Sequence, residues 1–170
     1  MPTDPLQHLS IGGLRSLEAL VADSSSIIFA NKAGFLLPLV QTVKLTAPPG
    51  VFREIGDEIP AEAGLSGVRH IDDVETLYKG FSVDAQVVVA AKQLNIPILS
   101  DDLKLLGRAA ESEIAGFTAR TMLELLLLLE KIDLETYNRF KRALSGLVRY
   151  ALPLYVAAEE LHWQIRKEIG

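Results

Sequence analysis

Residues 81–106 read FSVDAQVVVAAKQLNIPILSDDLKLL. Ser82 carries the short hydroxyl side chain that caps a helix N-terminus. Behind it Val83, Val87, Ala90 and Leu94 fall on one helical stripe. Asn95 ends that helix, Ile96 to Ser100 reads as a buried strand, and Asp101 to Glu111 reads as the next helix. A helix bearing Asp84 in its first turn thus feeds directly into a strand that runs out on aspartate.

Upstream, Leu17 to Ala22 (LEALVA) reads as another buried strand, running into Asp23 and then Ser24-Ser25-Ser26. Ser24 to Leu39 is helical, with breaks predicted near Gly34 and Pro38. Val43 to Ala47 is a second strand, followed by a Pro48-Pro49-Gly50 turn. Proline suits a first helical turn, so Pro49 opens a helix from about Val51 to Asp57. Pro60 to Gly67 is a loop, and Val68 to Ile71 a short strand. Gly12-Gly13 reads as a turn.

Downstream, Ile114 to Phe117 is a last short strand, and Thr118 caps a helix to Lys131. Helices from about Leu134 to Tyr150 and Leu154 to Lys167 complete the chain. Strands alternating with helices predict an α/β fold with a mostly parallel sheet covered by helices. The last two helices are expected to pack together as an αα-hairpin. With no repeat and no long linker, residues 1–170 read as one domain: a core of about 17–131 and C-terminal helices of about 134–168.

Composition limits the chemistry. The chain has no cysteine, which excludes disulfides, thiolate zinc sites and cysteine nucleophiles, and makes a cytoplasmic home the expectation. A net charge of −5 argues against nucleic-acid binding by bulk positive charge, but not against a local groove or a metal-filled acidic site. The longest leucine run, Leu125 to Leu129, is bracketed by Glu124 and Glu130. It falls far short of the roughly 20 apolar residues of a membrane span. Met1 to Ser10 has no basic cluster before an apolar core, so no signal peptide is expected. No HExxH, P-loop or GxGxxG occurs, and His8, His70 and His162 are too scattered for a metal triad or a catalytic pair. They are expected at the surface or in packing, and without a histidine base Ser24 to Ser26 make no serine hydrolase.

The acidic residues remain. In an open α/β sheet, ligands bind outside the carboxyl ends of the strands. Asp23 and Asp101-Asp102 both follow strands, Asp84 lies in a first helical turn, and Glu54 lies in the helix after the second strand. If those helix starts share one sheet edge, four carboxylates converge. Converging carboxylates repel one another unless a cation compensates. Oxygen ligands suit Mg²⁺ or Mn²⁺, ions that acidify water and stabilise charge on a reacting phosphate. Ser25 is placed to hydrogen-bond Asp23. The competing reading is that an aspartate after a strand merely caps a helix or closes a turn. Asp57, Glu58, Asp72, Asp73 and Glu75 read as solvated loop and turn residues.

Asp23-Ser24-Ser25 after an apolar strand, Glu54 after a proline-containing turn, Asp84 at a helix start and Ile98-Leu99-Ser100-Asp101-Asp102 together resemble the PIN-domain pattern. The resemblance runs from about Leu17 to Glu130 and is most specific over Phe81 to Leu106. It implies a PIN-like three-layer α/β/α fold in which Asp23, Glu54, Asp84 and Asp101 hold Mg²⁺ or Mn²⁺ and Asp102 assists. It also implies hydrolysis of single-stranded RNA, leaving a 3′-hydroxyl and a 5′-phosphate. The family includes ribonuclease toxins of toxin–antitoxin pairs, so an antitoxin protein is an implied partner. Serine stands where many members have threonine after the first aspartate, and the tail is longer than in a minimal toxin. The rival within the fold is a non-catalytic module that binds RNA or protein. A phosphotransfer receiver is disfavoured, because Asp23 is followed by serines and no late lysine follows a strand.

Two features of the tail complete the reading. Arg139, Arg142 and Arg149 are read as one helical face, a solvated stripe or a contact surface for RNA phosphate. Tyr155 and Trp163 read as core or dimer contacts, and an apolar excess in the tail predicts a homo-oligomer or a bound partner.

Overall fold

The structure, a computed structural model, describes residues 8–60, 64–71 and 78–170. Asp72, Asp73 and Glu75 therefore lie outside the described residues, as does part of the expected Pro60–Gly67 loop.

The chain opens with a five-residue helix, α1 (Ile11–Arg15), capped by Ser10. Gly12 and Gly13 lie inside it, not in the expected turn. Strand β1 (Ala19–Ala22) follows, three of its four residues buried. Helix α2 (Ser24–Ala33) stops at Gly34, whose φ of 100° a side chain would resist and whose missing Cβ admits the Phe140 ring. Helix α3 (Leu36–Thr42) contains Pro38 in its first turn, where no intrahelical N–H is needed. The chain therefore breaks once, at Gly34-Phe35, and not again at Pro38. Strand β2 (Lys44–Ala47) and α4 (Pro49–Ile55, with proline at its start) follow. After a 3-10 turn at Leu65–Gly67 comes β3 (Arg69–His70).

Ser82 caps α5 (Val83–Leu94), and Asn95 closes it at φ 53°. The helix buries Gln86, Val87, Ala90 and Ala91, while Leu94, expected on the core stripe, is exposed. Strand β4 (Ile98–Leu99) leads to α6 (Leu103–Glu111), which starts two residues later than expected, with Asp102 as its cap. Strand β5 (Gly116–Phe117) passes through the Thr118–Thr121 capping box into α7 (Ala119–Leu128), a helix buried on all sides. Helices α8 (Leu134–Ser145) and α9 (Leu152–Ile169) end the chain.

Among the described residues all five strands are parallel, in the order β3-β2-β1-β4-β5. The fold is α/β, a parallel sheet flanked by helices, as the alternation predicts and the PIN resemblance implies. Helix α5 packs on β1 and β4 and against α6, which leans on β5. Helices α2 and α3 form another group with α7, and α3 also meets β2. The two C-terminal helices are not chiefly a hairpin packed on itself. Helix α9 packs mainly against α7, and α8 against α2 and α7 about equally, because α7 offers apolar residues around its whole circumference.

A polar knot fixes this arrangement. Glu124 is fully buried on α7; its Oε1 accepts from Arg120 and from the Tyr137 hydroxyl of α8. Its Oε2 is 2.9 Å from Nδ1 of His162 on α9. The Tyr137 and His162 rings stack with centroids 4.9 Å apart. Arg120 and Lys141 both reach Glu159 on α9, at 2.9 and 3.1 Å. A buried carboxylate with several charge-assisted partners demands that all three helices be in place. His162, expected at the surface or in simple packing, is a member of this knot. Burial, with the Arg120 and Lys141 charges, lowers its pKa to about 4. The neutral ring with its proton on Nδ1 satisfies Glu124.

Candidate metal centre

The sheet reverses its direction of growth at β1: β2 and β3 build to one side, β4 and β5 to the other. Such a switch point opens a crevice beyond the carboxyl ends of the two central strands. Val21 pairs with Ile98 and Ala22 with Leu99, so Asp23 and Ser100 leave the sheet side by side and Asp101 comes next.

The Asp23 carboxylate is enclosed. Its Oδ1 accepts from Ser26 N (2.9 Å) and Ser25 Oγ (3.1 Å), and its Oδ2 from Ser100 Oγ (2.5 Å). Asp101 is only partly covered as a residue, but its carboxyl group is turned inward. Its Oδ1 accepts from Ala119 N (3.0 Å) and the Tyr150 hydroxyl (2.6 Å), and its Oδ2 from Ser26 Oγ (2.6 Å). Ser26 therefore bridges the two aspartates, with its amide on one and its hydroxyl on the other.

Burial pushes the Asp23 pKa up to about 6 against the pull of these donors, and the neighbouring Asp101 charge adds to the rise. Burial likewise raises Asp101. The Tyr150 hydroxyl is raised by burial and by the Asp101 charge, so it remains a donor. Among the described residues no lysine or arginine pairs with either aspartate.

The other expected carboxylates, Glu54, Asp84 and Asp102, do not form a cluster with this pair among the described residues. Glu54 is exposed on α4 and accepts from the Ser24 hydroxyl, next to Asp23. Asp84 is partly buried in the first turn of α5, and among the described residues its carboxylate takes no hydrogen bond. Gln86 joins the helices that carry these two acids: its Oε1 accepts from Gly50 N (3.0 Å) and its amide donates to the Phe81 carbonyl. Asp102 caps α6, accepting from Lys104 N at 2.8 Å. Ser25 contacts Asp23 as expected. Among the described residues no three His, Asp or Glu side chains form a finished metal cage. What is gathered is a pair of aspartates, with Glu54 tied to their edge through Ser24.

Of the arginines, Arg139 and Arg142 are carried on α8, but Arg149 lies beyond the end of that helix, so the three do not form one helical face. Asp57 and Glu58 are exposed, as expected. His70 stacks on Phe52 at 3.6 Å between centroids, and His8 packs edge-on to Phe117, so neither joins the aspartates.

The donor set suits a hard divalent cation. It is all oxygen, and among the described residues the two desolvated carboxylates lack a basic partner. Each also keeps acceptor capacity on Oδ2, since one of that oxygen's two lone pairs is unused.

Sequence reasoning missed Ser26, Ser100 and Tyr150. Ser26 lies three residues after Asp23, the spacing of a helix cap, and Ser100 lies beside Asp23 by strand register. Both follow from the motif once the strands are paired. Tyr150 is 49 residues beyond Asp101, in an apolar tail with no local signal.

No family model and no curated protein matches the chain. Among solved structures it is similar to a PilT N-terminus domain protein from the hyperthermophilic archaeon Sulfolobus solfataricus P2. The identity is 18% and the TM-score 0.47, over 64% of this chain and 93% of the other.

Proposed function

We propose that the protein is a Mg²⁺- or Mn²⁺-dependent endoribonuclease that cuts single-stranded RNA in the cytoplasm. The observation that carries this reading is the pair Asp23–Asp101: buried, mutually repulsive and, among the described residues, unpaired with any base, at the switch point of a parallel sheet. Asp23 and Asp101 would hold the cation, with Glu54 and Asp84 completing its shell at the rim. Bound there, the ion supplies Lewis-acid stabilisation of the phosphate and acidifies water. The protein's part is to keep the aspartate oxygens fixed through Ser25, Ser26 and Ser100, and to keep the site dry, where the ion's field on a phosphate would be strongest. Arg139 and Arg142 of α8 would meet the RNA backbone. The resemblance to toxin ribonucleases extends the proposal to an antitoxin partner. The exposed apolar residues of α9 extend it to self-association.

A second reading has an observation of its own. Asp23 and Asp102 both cap helices, and every oxygen of the aspartate pair already accepts a hydrogen bond. A non-catalytic binding module would need no more than that.

Cleavage of structured and unstructured RNAs with Mg²⁺ or Mn²⁺ separates the two. We expect cutting of unstructured RNA that Asp84→Asn abolishes, by roughly 10²-fold or more, while the metal-free melting temperature stays equal or rises. Asp84 carries no hydrogen bond that the fold would miss among the described residues. A wild-type protein free of any inhibitor that cuts no RNA with either ion leaves the binding module as the better account.

A further inference from the structure

Resting on the metal-dependent reading above, we propose that Tyr150 is a positioning residue of the carboxylate centre. Its hydroxyl sets Asp101 so that Oδ2 is the oxygen offered to a divalent cation, which makes the C-terminal helical pair a working part of that centre.

A carboxylate oxygen has two in-plane lone pairs that can accept. On Asp101, Oδ1 uses both, for Ala119 N and the Tyr150 hydroxyl; Oδ2 uses one, for Ser26 Oγ. Asp23 repeats the division: Oδ1 uses both sites, for Ser26 N and Ser25 Oγ, and Oδ2 uses one, for Ser100 Oγ. Each aspartate therefore has one saturated oxygen and one half-free oxygen. At Asp23 the saturating donors come from the adjacent helix start. At Asp101 one of them is Tyr150, brought from the segment between α8 and α9.

Without that hydroxyl, Oδ1 keeps a single donor and the two oxygens become equivalent in count, so the carboxylate loses its reason to stay in one rotation. Groups that orient a metal ligand in this way commonly change metal affinity by about 10–100-fold.

The delivery of Tyr150 is itself fixed. Helix α7 supplies the Ala119 amide to Asp101 and, further along, the buried Glu124 that binds Tyr137 of α8 and His162 of α9. The segment carrying Tyr150 is thus held at both ends to the helix that donates the other hydrogen bond. One rigid element therefore sets the position of both Oδ1 donors, directly for Ala119 and through α8 and α9 for Tyr150.

The test is Mn²⁺ binding by the full chain, followed through the electron paramagnetic resonance signal of free Mn²⁺. Tyr150→Phe keeps the ring and removes only the oxygen. We expect its Mn²⁺ affinity to fall about 10-fold, with unchanged circular dichroism, while Tyr155→Phe on the exposed side of α9 binds like the wild type. Unchanged affinity in Tyr150→Phe would make the tyrosine a packing residue and overturn the proposal. Tighter binding would overturn it too, showing that the hydroxyl obstructs the ion. If the wild type takes up no Mn²⁺, the metal-dependent reading fails and this proposal with it, a result distinct from the other two. Should Tyr150→Phe not fold, the titration is run on His162→Ala, which loosens α9 without touching Asp101. Weaker Mn²⁺ binding there supports the proposal, and wild-type binding overturns it.

Discussion

Asp23 shows how one carboxylate can serve the fold and oppose it at once. Its Oδ1 caps α2, yet burial and the Asp101 charge raise its pKa to about 6. For an acid whose pKa rises on folding, stability is fullest below the unfolded pKa of 3.8 and is lost as the pH climbs through the folded value. The metal-free protein should therefore lose about 3 kcal/mol between roughly pH 4 and pH 6.5 from this residue. An asparagine at this position keeps the cap to Ser26 N, and the Ser100 hydroxyl can turn to accept from the new amide. In Asp23→Asn we expect that pH slope to flatten and the melting temperature at neutral pH to exceed the wild type's. Millimolar Mn²⁺, which should restore the wild type by binding the folded state alone, should leave the variant unmoved. Urea melts across this pH range, with and without Mn²⁺, measure all three effects. A wild-type profile flat over that range would contradict the buried-pair account. Asp23 and Asp101 are legible in the sequence because each follows a strand. The bonds from Ser26 to Asp101 and from Ser100 to Asp23 are hidden behind the register of two distant strands, which no local pattern encodes.

At the scale of elements, the α4–α5 junction places the acids that are not in the buried pair. The Gly50 amide bonds Gln86, and Glu54 and Asp84 ride on the two helices so joined. A Cβ at Gly50 would stand 2.7 Å from Gln86 Oε1 and 3.0 Å from Val83 Cγ2. Gly50→Ala should cost about 1–3 kcal/mol by overpacking and weaken Mn²⁺ binding, although it alters no ligand. Denaturant melts beside Mn²⁺ titration check it, and a stable variant with wild-type affinity would show that α4 and α5 adjust independently. Helix existence is largely legible here: Ser82, Asn95 and Thr118 mark their boundaries as capping chemistry predicts. Extents are less so. Pro38 looks like a breaker in sequence although a first turn tolerates it, and Asp101 looks like a helix start although Asp102 is the residue that caps α6. The sequence suggests a self-packed α8–α9 pair because the all-round burial of α7, which recruits both helices, is a property that a leucine run does not reveal.

For the whole molecule, the outer side of α9 gathers several exposed apolar side chains. Leu152 is 72% exposed, Tyr155 54% and Trp163 61%, so neither aromatic is a core residue. The Lys167 ammonium lies over the Trp163 ring, its Nζ 3.3 Å from the centroid. Exposed apolar groups on one helix are characteristic of an interface. We expect concentration-dependent dimerisation by sedimentation velocity, abolished by Leu152→Glu together with Trp163→Glu. A monomer at every concentration would retire self-association and leave an unlike partner as the occupant. Among the described residues no helix is long and apolar enough to cross a membrane, so a helical bilayer span does not account for this face.

The rims of the sheet carry a different consequence. Strands β3 and β5, its two outermost members, are two residues long each. A strand that short shows a newcomer hardly any row of free amides and carbonyls to copy, which is how many natural sheets avoid growing into fibres. When this protein fails, by warming or by a destabilising substitution, it should come out of solution through the greasy side of its last helix and not by adding strand to strand. The deposit should be amorphous: turbid, dispersed by mild detergent and dark with thioflavin T. Bright, detergent-resistant fibrils would mean that the central strands β1 and β4 had first been laid bare.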